Sequence, residues 1–69
     1  MVMSDAEIAE RYSHWLGKYR QHVRGELHHT SLESEHWREF FRQNAVKFGN
    51  LYKKRTGSVL QGFNEVRLR

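Results

Sequence analysis

The chain contains no cysteine and no proline. Without cysteine, neither a disulfide nor a thiolate-bound metal can staple a small fold, and thiol nucleophiles are excluded. Without proline, the strongest helix breaker is missing from end to end. Long apolar runs are missing as well, so no segment approaches the length needed to cross a bilayer. The start, Met1 to Asp5, lacks the basic stretch and apolar run of a secretory signal. These features lead us to expect a soluble, cytoplasmic protein with no membrane contact. Gly-rich phosphate loops and Ser-His-acid arrangements are not seen either, so we expect neither an enzyme nor a cofactor.

What is present is 69 residues, 12 of them Lys or Arg and 8 Asp or Glu. A single domain of this size builds a core worth only a few kcal/mol, and such chains often lean on a partner. The formal net charge of +4 is unevenly spread. Residues 1–37 carry four cationic side chains against six acids, whereas residues 38–69 carry eight against Glu39 and Glu65. Asymmetry of this kind suits nucleic-acid contact, and it equally suits two segments that attract one another.

Helix start signals come first. Ser4 and Glu7 form S-x-x-E, a capping box, and Met3 and Ile8 hold the positions of a hydrophobic staple. At 100° per residue, Ile8, Tyr12, Trp15, Leu16, Tyr19 and Val23 gather within an arc of roughly 100°. Acids open this segment and Arg20 and Arg24 close it, as the helix dipole favours. The pattern predicts a helix over about 5–27. Gly25 and the stretch His28-His29-Thr30-Ser31 break it, giving a turn at 28–31. Thr30 and Glu33 make a second capping box, after which Trp37, Phe40, Phe41, Ala45, Phe48, Leu51 and Tyr52 share an arc of about 140°. This second helix is expected over about 32–55, with Gly57 as a left-handed cap. The tail, 58–69, is ambiguous. Ser58 and Gln61 suit the start of a short helix carrying Val59, Leu60, Phe63 and Val66, although Gly62 weakens it by about 1 kcal/mol relative to Ala. Val66 and Leu68 alternating with Arg67 and Arg69 would suit a strand. The short helix is the preferred reading.

The expected architecture is thus all-α: an antiparallel hairpin of two long amphipathic helices plus a short C-terminal segment. With the turn near residue 30, positions whose numbers sum to about 60 should lie at one height. That pairs Tyr19 with Phe41, Tyr12 with Phe48 and Ile8 with Tyr52, and sets Asp5, Glu7 and Glu10 beside Lys53, Lys54 and Arg55. Two helices cannot hide all of these apolar faces, since eight of the nine aromatics lie on the two arcs. Either the C-terminal segment covers the remainder or, as the preferred reading, a second copy does, in a homodimeric four-helix bundle.

Three chemical readings follow. Glu26 with His22 and His29, and Glu33 with His36, have the one-turn spacing of carboxylate-bridged metal sites, but the further carboxylates such sites need are missing, so no metal is expected. Glu26, Asn44 and Arg55 project toward the apolar arcs, and Asn44, in mid-helix, is the candidate for fixing the pairing of helices. The leading functional expectation is a non-enzymatic interaction protein, a regulator or inhibitor. It would dock on a protein partner through Trp37 and Phe40 as anchors, with Arg38 and Arg42 at the rim. The alternative is a DNA- or RNA-binding protein using Arg42, Lys47, Lys53, Lys54, Arg55, Arg67 and Arg69 on phosphates.

Overall fold

A computed structural model describes residues 2–25 and 31–67. It contains α1 (Asp5–Val23), α2 (Ser31–Thr56) and α3 (Phe63–Arg67), and the described residues include no strand. The predicted start of α1 is built as its sequence dictates. Ser4 is extended, its hydroxyl accepts from the Glu7 N–H at 3.2 Å, and the Glu7 carboxylate accepts from the Ser4 N–H at 3.3 Å. Two donors that helix geometry leaves without a partner are thereby satisfied.

The end of α1 falls earlier than the expected residue 27. Arg24 is the C-cap and Gly25 follows with φ +77°, a left-handed conformation that a side chain disfavours and that stops the helix. Gly57 ends α2 in the same way, donating its N–H to the Lys53 carbonyl at 2.7 Å. Residues 28–30 of the expected turn, Thr30 of the second capping box, and the Glu26 and His29 positions lie outside the described residues; Ser31 and Glu33 already belong to α2.

Side-chain pairing confirms the antiparallel register. Arg55 Nε meets Asp5 Oδ1 at 3.2 Å, Trp15 packs on Phe40 and Phe41, and His22 Nε2 lies 3.1 Å from the Ser34 hydroxyl. The residue numbers in these pairs sum to between 55 and 60, within about one helical turn of the sum expected for one height. The charge complement at the open end is narrower than anticipated. Arg55 also donates to the Met3 carbonyl, but Glu7 is held by its cap, and Lys53 and Lys54 remain exposed.

The core is one cluster drawn from all three helices: Ile8, Tyr12, Leu16 and Tyr19 from α1, Phe41, Ala45 and Phe48 from α2, and Phe63 and Val66 from α3. Val23, placed by its spacing on the apolar arc, is 55% exposed because α1 ends there. The molecule measures 38 × 25 × 15 Å. Its thinnest dimension barely exceeds one helix diameter of about 10–12 Å, so the long helices form a single layer with two edges. How each edge is finished decides what the protein presents to its surroundings.

Candidate functional site

The first edge is closed by the tail. The chain leaves α2 at Gly57, exposes Val59, half-buries Leu60 and turns at Gly62 into α3. The helix begins after Gly62 rather than at Ser58, so Val59 is exposed to solvent instead of belonging to a helix with Phe63 and Val66. Phe63 is 2% exposed and Val66 fully buried. Phe63 enters a notch made by Gly49: a Cβ built there would fall 2.5 Å from Phe63 Cδ1, closer than packed atoms tolerate. Its ring also meets Tyr12 with centroids 6.2 Å apart.

Three side chains, Tyr12, Arg20 and Arg42, fasten this segment by polar contacts. The Tyr12 hydroxyl donates to the Gln61 carbonyl at 2.9 Å, and burial raises its pKa above the ordinary phenol value, so it stays a donor. Arg20 grips Glu65 through both its Nε, at 3.2 Å, and its terminal nitrogen. Arg42 donates to the Val66 carbonyl at 3.0 Å while its remaining nitrogens hold Glu39. That carbonyl lies near the C-terminal end of α3, where helix acceptors lack internal partners. Hydrogen bonds from these arginines hold the Glu65 and Glu39 carboxyls below the usual carboxylate range.

The opposite edge has no such cover among the described residues. It carries a cluster of four rings. Phe40 stands perpendicular to both Trp15, at 5.5 Å and 90°, and Trp37, at 5.6 Å and 88°. Both indoles lie at about 30° to Phe41, which is buried beneath them. Trp15 and Trp37 are half-buried, whereas Phe40 is 40% exposed at the centre of the group. His14 and His36 pack edge-on against the two indoles. Further along α2, Leu51 is 36% exposed on the same side.

Each predicted site residue can now be placed. Trp37 and Phe40 do stand together, and the structure adds Trp15, which the one-helix reading had assigned to the core arc. The contact between Trp15 and Phe40 depends on helix pairing, so no signal within either helix alone could reveal it. Arg38 borders a shallow cleft with Glu35, His36, Glu39, Phe40 and Gln43. Arg42 does not. Its side chain is only 18% exposed and is committed to Glu39 and to α3, because its position on the helix faces the closed edge. Arg55 is likewise engaged by Asp5 and Met3. Of the expected phosphate contacts, Lys47, Lys53, Lys54 and Arg67 remain exposed, and Arg69 lies outside the described residues. Asn44 does not bridge the helices; its amide donates to the Phe40 carbonyl one turn back, at 2.8 Å. Among the described residues, no group of three or more His, Asp or Glu side chains is placed to hold a metal ion. No helix there is long and apolar enough to cross a membrane.

Comparison with protein families, curated proteins and solved structures finds no match to this chain. Its function must be read from the two edges themselves.

Proposed function

We propose that this chain works by binding rather than by catalysis, as a small helical regulator or inhibitor that docks on another protein through its open edge. The observation that carries the reading is the position of Phe40. It is a large apolar side chain, 40% exposed, wedged at right angles between two tryptophans on a layer whose other edge is already sealed. Trp and Arg dominate binding hot spots, and a rigid aromatic group loses little conformational freedom when it is covered. Trp15, Trp37 and Phe40 form the anchor and Arg38 the rim.

The nucleic-acid reading keeps Lys47, Lys53, Lys54 and Arg67, but loses Arg42 and Arg55 to internal bonds. Pairing of two hairpins into a four-helix bundle would have to use the same open edge, since α3 occupies the other.

A photo-crosslinking amino acid tests the docking edge directly. Placed at position 40 in the native host, it should form a discrete adduct with a protein. Placed at Ser13, exposed on the far side of α1, it should not. Equal labelling from both positions, or none from position 40, would end this reading. A gel shift with duplex DNA at low salt that weakens steeply as salt rises would favour the nucleic-acid alternative.

A further inference from the structure

A recess lies where the last turns of α1 face the first turns of α2, and we infer that it binds a small organic acid bearing one carboxylate. Tyr19 and His22 line it from α1, and Ser34, Arg38, Glu39 and Arg42 from α2. None of the rings of Trp15, Trp37 and Phe40 takes part, so the site is independent of the docking anchors. Its volume of about 340 Å³ has room for about ten non-hydrogen atoms, at a water's share of about 30 Å³ each.

Tyr19 is the observation that points to a ligand. Its side chain belongs to the core and is only 5% exposed, yet its hydroxyl makes no hydrogen bond among the described residues and is not sealed from solvent. It lies within electrostatic reach of Arg42, which lines the same recess. Polar groups on buried side chains are ordinarily hydrogen-bonded, and a ligand oxygen in the recess supplies the partner here. Beside it, the half-buried Ser34 is positioned by His22, whose Nε2 lies 3.1 Å from the Ser34 hydroxyl. A hydroxyl has one donor and two acceptor sites, so Ser34 keeps capacity for a second contact.

Charge selects the sign of the ligand. Glu39, the acid that lines the recess, is bonded to Arg42 and also accepts from Gln43, so that pair sums to zero. Arg38 is exposed and makes no hydrogen bond or ion pair among the described residues. The hydrogen bonds from Arg42 do most to lower the Glu39 carboxyl, and Arg38 adds to this at longer range without bonding it. Two arginines against one glutamate leave the recess with one positive charge. A guanidinium meets a carboxylate through two parallel hydrogen bonds, which makes Arg38 the seat for the anionic group. A single charge favours a monoanion. A phosphate monoester carries about 1.5–2 negative charges at neutral pH, and the excess would face Glu39. With the carboxylate on Arg38, a hydroxyl or carbonyl oxygen of the same molecule is left for Tyr19 and Ser34.

The test titrates the full isotope-labelled chain with lactate, glycerate, pyruvate and mandelate, each beside its neutral amide, at constant ionic strength. Backbone amide NMR shifts are the readout. At least one acid should shift Tyr19, His22, Ser34 and Arg38 saturably, and its amide should not. Arg38→Gln should weaken that acid at least about tenfold, as loss of a charge-assisted pair does. Tyr19→Phe, which keeps the ring in the core, should weaken it about threefold or more. Phe40→Ala should leave it unchanged, and thermal melts confirm that every variant is folded. No saturable response to any of the acids would overturn the proposal, as would equal responses to acids and amides. Tighter binding of inorganic phosphate would make the recess a general anion site instead. Affinity that neither Arg38→Gln nor Tyr19→Phe changes, or that Phe40→Ala abolishes, would place the acid elsewhere on the molecule and end the assignment.

Discussion

The two edges of the helical layer are built from similar residues and finished in opposite ways. On one, Phe63 sits in the Gly49 notch and is 2% exposed; on the other, Phe40 sits among three rings and is 40% exposed. Both are aromatic, and both touch the same core. The difference lies in what surrounds them. Phe63 is locked by bonds that join α3 to both long helices, through Arg20 and Arg42. Phe40 has ring neighbours but nothing above it among the described residues. Apolar burial and polar fastening thus coincide on one side and are separated on the other. The docking proposal rests on that separation.

The contrast can be broken experimentally, starting with the largest effect. Phe63→Ala removes a fully buried ring and should destabilise the chain by about 3–4 kcal/mol, enough to release α3 or unfold so small a domain. Urea denaturation measures it, and a loss below about 1 kcal/mol would show that α3 does not close the edge. Gly49→Ala tests the notch. A methyl there raises helix propensity by about 1 kcal/mol but overpacks a ring that has no room to retreat, at about 1–3 kcal/mol. The expected net result is a destabilised protein, whereas a stabilised one would mean that Phe63 does not enter the notch. Phe40→Ala should cost only about 1 kcal/mol, because its ring contacts are partly offset by incomplete burial. A loss as large as that of Phe63→Ala would make Phe40 a core residue and remove the basis for docking.

The smallest effect concerns the ion pairs. Arg20→Gln breaks a pair whose side chains are 45% and 47% exposed, so it should cost no more than about 1 kcal/mol. Its signature is in the pH dependence. The Glu65 carboxyl titrates lower in the folded protein than in the unfolded chain, so its contribution is present above the ordinary glutamate value of about 4.5. It is lost as pH falls below that value, through the lowered folded pKa. Arg20→Gln should therefore flatten the acid limb of the stability curve and leave the neutral region nearly unchanged. An acid limb identical to that of the wild type would show that the pair is not formed in solution.

Much of the fold is legible in the linear sequence, and the reasons are local. Ser4 and Glu7 mark the start of α1 because a capping box needs only residues three apart. Gly57 marks the end of α2 because one positive φ stops a helix. The register could be counted from the turn, and Asp5 with Arg55 confirms it. The candidate site is less legible. Arg42 looked like a rim cation because its partner, the Val66 carbonyl, is 24 residues away and belongs to a helix the sequence only weakly indicated. Trp15 looked like core because its arc is apolar, and only the pairing of α1 with α2 shows that it borders Phe40.

By itself, the sequence determined that the chain is helical, that it folds as a hairpin, and that its apolar faces are too wide for each other. Periodicity and capping act over a few residues and need no knowledge of the rest of the chain. Only the tertiary structure decided which half of the excess is covered. That choice rests on contacts between distant residues, Gly49 with Phe63, Arg20 with Glu65 and Tyr12 with Gln61, whose geometry exists once the layer has formed. It also sorted the charges, matching Arg20, Arg42 and Arg55 with acids of this chain.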